Sequence, residues 1–197
     1  MKYINLLILL IAFLLHCKGD SREELQKELD RIQKETDLTL QNDRDLLKSF
    51  QKESYQFSSY SKTKEEAIQN YLKYLSNNTK NREENPFAFN RIELREILYP
   101  NTLGFGTSLD NTPLKDYEDL VWERRKIGEQ KILELLESSK WKLIKIDWIT
   151  KPRQFKVLRG FKPQSVEVSI YGKTHVISQI KQVIEHNGMF KVAIIAP

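Results

Sequence analysis

From Thr63 onward the apolar positions fall first at helical and then at strand spacing. Thr63-Lys64-Glu65-Glu66 has the form of a capping box, in which the Thr63 hydroxyl accepts from the Glu66 N–H and the Glu66 side chain reaches back. Ala67, Ile68, Tyr71, Leu72 and Leu75 then make one stripe, predicting a helix that ends near Ser76-Asn77-Asn78. Pro86 to Leu98 carries Phe87, Phe89, Ile92, Leu94, Ile97 and Leu98 and reads as a short helix broken by Tyr99-Pro100-Asn101. Thr112-Pro113 opens the longest helix, with Thr112 as cap and Pro113 in the first turn. Leu114, Tyr117, Leu120, Val121, Ile127, Ile132, Leu135 and Leu136 carry that helix to about Glu137, with Arg124 and Lys131 on or near its apolar side. Gly128 falls in its middle at a cost of ~1 kcal/mol relative to Ala, which points to a close helix–sheet contact or to a kink.

After Ser138 the period changes. Trp141, Leu143, Ile144, Ile146, Trp148 and Ile149 are β-rich, and Val166, Val168 and Ile170 alternate with Glu167, Ser169 and Tyr171. Tyr171-Gly172-Lys173 reads as a turn. Val176 to Glu185 fits helical spacing as well, but its apolar members are β-branched, and strand is assigned over 175–185. His186-Asn187-Gly188 is a hairpin signal, and Phe190 to Ile195 closes the sheet. Helices first and strands afterwards make an α+β fold: N-terminal helices followed by a four- to five-stranded antiparallel curved sheet.

Upstream, Leu25, Leu29, Ile32 and Thr36 form one narrow stripe in the charged segment 21–38, opened by Ser21. Two readings fit: a solvated tether helix, or a short coiled coil. A short helix over 43–53 and a loop to residue 61 follow. Leu103-Gly104-Phe105-Gly106-Thr107 is a flexible connection; it lacks the Lys-Ser/Thr and third glycine of a phosphate loop.

Composition changes the picture at the N-terminus. The chain has 197 residues, one cysteine, three histidines and a net charge of +5. One cysteine excludes an intramolecular disulfide and a Cys-based zinc site. Lys2 precedes a twelve-residue run, Ile4 to Leu15, apolar except for Asn5. At ~1.5 Å per residue such a run covers ~18 Å, short of a ~30 Å hydrocarbon core but suited to a signal peptide. The cysteine, Cys17, stands where that leader ends and Lys18-Gly19-Asp20-Ser21 turns polar. Leu14-Leu15-His16-Cys17 resembles the lipobox of bacterial lipoproteins, in its relaxed, spirochaete-type form, since His16 replaces the usual small residue. The resemblance implies that Cys17 is the lipid-attachment residue, that 1–16 is removed as a signal peptide, and that the mature protein is exported and held on the cell envelope, at the inner or outer membrane. Two acyl chains anchor stably where one is marginal, each buried CH₂ adding ~0.8 kcal/mol. The organisation is then leader 1–16, lipidated cysteine and helical tether 17–61, and α+β domain 62–197.

The helix Ala67–Leu75, the long helix before the sheet and the ending Val183-Ile184-Glu185-His186-Asn187-Gly188-Met189-Phe190-Lys191-Val192 resemble the NTF2-like (cystatin-like) folds. That resemblance implies a pocket between helices and sheet. It also keeps open a small enzyme, with Asp147, His175 or His186 as the general acid or base.

Charge is unevenly spread. Residues 138–197 carry +8 and residues 18–137 carry −4. Lys142, Lys145, Lys151, Arg153, Lys156, Arg159 and Lys162 lie close together in sequence with Asp147 the only acid among them, and form the candidate surface for anionic lipid, polysaccharide or an acidic protein. The competing reading is a solvated outer face of the sheet. Nucleic acid is not an expected partner of an exported chain, and no catalytic residue, metal site or cofactor is assigned. The leading expectation is a lipid-anchored exported protein with a non-catalytic binding or envelope-structural role. The alternatives are the small enzyme and a surface module that uses the basic face.

Overall fold

The computed structural model describes residues 20–78, 85–136 and 140–197. The leader and Cys17 lie outside the described residues, as does Glu137. The chain divides into two units, Met1–Asn42 and Asp43–Pro197.

Helix α1 is Asp20–Ser49. The pieces read separately over 21–38 and 43–53 are one helix, because neither Pro nor Gly interrupts the segment between them. Within the first unit its polar face is laced by pairs one turn apart: Gln26 donates to Asp30, Gln33 to Asp37, and Arg31 pairs with Glu28. Leu25, Leu29 and Ile32 stay exposed.

In the second unit the end of α1 is held by buried Leu47, while Asp43 accepts the Leu114 N–H at 2.7 Å. That bond corrects the assignment of Thr112 as cap of the long helix. The helix starts at Leu114, and its leading N–H is satisfied by a side chain distant in sequence. Helix α2, Lys64–Asn77, begins as read: Thr63 Oγ1 accepts from Glu66 N–H at 3.1 Å, and Glu66 reaches back to the Lys62 N–H.

The segment expected to stop at Tyr99-Pro100 continues. Helix α3, Arg91–Glu93, passes through a π-helical turn, Leu94–Leu98, into α4, Tyr99–Thr102. Proline has no N–H to give to the preceding turn, and its ring needs room there. The widened turn, in which the Tyr99 N–H donates to Leu94 O, accommodates it. After α4 the glycine-containing connection folds around a carboxylate of its own: Asp110 accepts N–H groups from Gly104, Gly106 and Thr107 at 2.7–3.1 Å. A 3₁₀ turn, Ser108–Asn111, leads to α5, Leu114–Leu136.

Among the described residues seven strands follow: β1 Trp141–Trp148, β2 Arg153–Phe155, β3 Leu158–Phe161, β4 Pro163–Ile170, β5 Lys173–Ile177, β6 Ile180–His186 and β7 Met189–Ile195. All pairing between strands is antiparallel. One sheet has the order β1-β4-β5, the other β2-β3-β6-β7. The α+β order is as read, with the strands shared between two sheets. Asn187 and Gly188 both take positive φ in the β6–β7 turn, the geometry that an Asn-Gly hairpin provides. β7 is not left as an open edge. Ser61 and Phe190 exchange two backbone bonds of 2.9 Å, the Val192 N–H donates to Phe87 O, and Val192 O accepts the Phe89 N–H.

Strands β6 and β7 are buried on both faces. Val183 and Val192 point into a core with Ala67, Ile68, Tyr71, Leu72, Leu75, Ile132 and Leu136. Ile184 and Ala193 point into a second core with Leu47, Phe57, Phe89, Leu94, Leu98 and Trp122. Each large side chain so buried contributes roughly 1.5–3 kcal/mol. Gly128 sits where α5 crosses β7. A Cβ there would lie 2.9 Å from Ile195 Cγ2 and 3.1 Å from the Ala196 backbone, so the close-contact reading holds.

Two buried ion pairs tie these layers together. Lys191 Nζ meets the Glu93 carboxylate at 2.8 and 2.9 Å and the Ser58 hydroxyl at 3.0 Å, and Glu93 also accepts the Ser58 and Asn90 N–H groups. Burial alone would push the Glu93 carboxyl up. The hydrogen bond and charge of Lys191, with those two N–H groups, outweigh it and hold the carboxyl below the ordinary range. On α5 the buried residue is Arg125, not its neighbour Arg124. Its Nε donates to Glu129 at 2.8 Å, Nη1 donates to Phe89 O, and the Tyr71 hydroxyl donates to the same Glu129 oxygen at 3.2 Å.

Gly128→Ala gains ~1 kcal/mol of helix propensity but drives a methyl into β7. It is expected to lower stability by about 1–3 kcal/mol. A thermal melt at higher temperature than wild type would refute the contact. Lys191→Met leaves Glu93 buried without its cation and is expected to lose about 3–5 kcal/mol. The double variant Lys191→Met, Glu93→Gln should lose clearly less than the two single losses combined, and strictly additive losses in urea titrations would refute the pairing. Because the Glu93 carboxyl is depressed in the folded state, its contribution is present above the unfolded carboxyl pKa of about 4.3 and disappears as pH falls through the folded value. The stability gap between wild type and Glu93→Gln should therefore narrow in acid.

A cationic groove as candidate functional site

The bulge in β6 sets up the site. The register of β6 on β7 slips on either side of Gln182, and this turns Lys181 and Gln182 toward the space between α5 and the end of the sheet. A groove of about 580 Å³ opens there, within the ~300–1,000 Å³ range of small-ligand pockets. Helix α5 supplies Tyr117, Leu120, Val121 and Arg124. The α4 region supplies Leu98 and Thr102. The sheet supplies Phe155, Gly160, Lys181, Gln182, Ile194 and Ile195, and the loop after β1 adds Ile149 and Lys151.

Five cations line the groove, Arg124, Lys151, Arg153, Lys162 and Lys181, and no Asp or Glu is among its lining residues. Among the described residues, none of the five has a carboxylate oxygen within 4.0 Å. Lys181 is pushed below the ordinary lysine range, first by burial and then by the charges of Arg124, Lys162 and Lys131. Its electrostatic neighbours are thus all of its own sign.

The basic run read from the sequence is divided by the fold. Lys151, Arg153 and Lys162 converge on the groove. Arg153 also donates to Phe105 O and lies against the Phe155 ring. Lys142 faces a separate shallow cavity beside Trp141 and Lys73. Lys145 is paired with Asp147 at 2.8 Å, and Arg159 with Glu185 at 2.5 Å. Lys156 donates to Pro100 O at 2.9 Å on another face. Arg124 and Lys181 complete the groove from far along the chain. No window on the sequence groups them with the others; only the packing of α5 on β7, next to the β6 bulge, does.

The residues weighed for acid–base chemistry lie outside this groove. Asp147 accepts from Lys145 and from the Ser165 hydroxyl, and the Lys145 hydrogen bond lowers its pKa. His186 is buried. Its Nε2 accepts the Tyr55 N–H at 3.0 Å and its Nδ1 faces Val157 O at 3.0 Å. Since an N–H only donates and a carbonyl only accepts, these two contacts select the Nδ1–H tautomer and occupy both nitrogens. His175 lies on β5, opposite Val168. Among the described residues no three His, Cys, Asp or Glu side chains gather as metal ligands would, and no helix is long and apolar enough to cross a membrane. Compared with known proteins, the chain matches no family model, no curated protein and no solved structure.

Proposed function

We propose that the chain is an exported bacterial lipoprotein, anchored to the cell envelope through a lipid on Cys17, whose α+β domain works by binding an anionic partner and not by catalysis. The observation that carries the binding role is the groove: five cations without a carboxylate partner around one concave surface. Like charges gathered at one site repel, and an anion relieves that repulsion while the apolar walls lower the local dielectric and strengthen the attraction. The uses already made of His186 and Asp147 favour binding over acid–base chemistry. The anchor rests on the order of charge, apolar run, cysteine and polar switch in residues 2–21. Helix α1 supports a tether for the domain, its exposed leucines notwithstanding. Helices ahead of an antiparallel sheet support an NTF2-like arrangement for 62–197.

Two measurements test this. Cells grown with a labelled fatty acid should label the wild-type chain and not Cys17→Ser; equal labelling would remove the anchor. The chain from residue 17 with Cys17→Ser, which keeps every described element, should sediment with vesicles of phosphatidylglycerol and not with phosphatidylcholine, and added salt should release it. Equal binding to both lipids, or binding that salt leaves unchanged, would overturn the electrostatic account.

A further inference from the structure

We propose that the groove holds a single-chain amphiphile with an anionic head, a carboxylate or a phosphate, its chain against the apolar lining and its head among Arg124, Lys162 and Lys181. This deepens the anion-binding reading above and rests on it.

Charge alone would be met by a flat basic patch. What distinguishes this site is the apolar surface that the cations surround. Leu120 and Ile149 are 49% and 45% exposed, yet both line the groove, as do half-buried Val121, Tyr117 and Ile194. Exposed aliphatic side chains concentrated in a concavity, with polar groups at its rim, are the mark of a surface that a ligand covers. The cations line the same space, Arg124 one helical turn from Leu120 on α5. Arg124, Lys162 and Lys181 line one groove, and burial, followed by the charges of Arg124 and Lys162, disfavours the Lys181 ammonium. A ligand that satisfies both the cations and the apolar lining carries a charged head and a hydrocarbon chain. An inorganic anion leaves the lining wet, and a neutral hydrocarbon leaves the cations unpaired. The size of the groove suits one small molecule.

The test is a chain-length series bound to the chain from residue 17 with Cys17→Ser: octanoate, decanoate and laurate, each below its critical micelle concentration, measured by titration calorimetry. Dodecyl phosphate, dodecanol, inorganic pyrophosphate and dextran sulfate complete the set. Burial of one methylene is expected to tighten binding about two- to fourfold, so laurate, with four more, should exceed octanoate by tens to hundreds of fold. Lys162→Gln with Lys181→Gln should weaken laurate about tenfold and leave the per-methylene gain unchanged. Leu120→Ser, at a half-exposed position, should reduce the gain while pyrophosphate binding stays as it was. Laurate against dodecyl phosphate tells which head is preferred, and either tight complex supports the proposal. If pyrophosphate or dextran sulfate binds but affinity is flat with chain length, the anion-binding reading stands and the amphiphile falls. Dodecanol binding as tightly as laurate would also overturn it, because the cations would then recognise nothing. If no anion binds at all, both readings fall together.

Discussion

The Lys191 ammonium and the Glu93 carboxylate meet 2.8 Å apart with almost no access to water, and three parts of the chain are arranged around that meeting. Lys191 comes from the last strand, Glu93 from the first turn of the α3–α4 segment, and Ser58 from the loop between α1 and α2. Removing two charges from water is expensive, and the geometry must repay it with hydrogen bonds from every side. It does so here: the carboxylate accepts from Lys191, from the Ser58 hydroxyl and N–H, and from the Asn90 N–H. The position of α3 on β7 is therefore set by a requirement that tolerates little displacement. The apolar cluster of Phe57, Phe89 and Leu94 packs in the register which that requirement dictates.

From β7 the constraint passes outward. A strand whose two faces serve two cores is packed from both sides, so the layers on either side take their positions from it. Helix α5 lies against it closely enough that only hydrogen fits at the Cα of residue 128. Beyond that contact α5 turns its other residues, Leu120, Val121 and Arg124, toward the groove. The groove is thus a by-product of rigid packing elsewhere. Arg124, Arg153 and Lys181 sit on α5, β2 and β6, elements packed on the cores, and Lys151 and Lys162 on the short connections beside them.

Legibility differed from element to element for physical reasons. Helix α2 could be read almost residue by residue, because Thr63, Glu66 and the stripe Ala67–Leu75 are local signals that tertiary structure has no reason to override. The hairpin at Asn187-Gly188 was equally plain. The β6 segment looked partly helical because its apolar residues serve both faces, and burial on both sides erases the alternation that marks a strand. Pro100 misled as a breaker, since a π-helical turn can absorb a proline and no local pattern announces one. On α5, Arg124 and Arg125 are adjacent in an amphipathic pattern. Which of them is buried depended on Glu129, Phe89 O and the Trp122 ring being in place to receive a guanidinium.

By itself the sequence determined the class of fold, the unequal charge of its two parts, and the placement of the one cysteine just after an apolar run. Each of these is written in neighbouring residues, as periodicity, as composition or as a short ordered motif. Tertiary structure alone decided which cations act together. Of the seven basic residues close in sequence, Lys145 and Arg159 were neutralised by partners and Lys142 and Lys156 were turned elsewhere, while Arg124 and Lys181 were brought in from outside the run. Coulomb interaction depends on distance in space and on the surrounding dielectric. Both are properties of the packed chain, and spacing along the sequence carries neither.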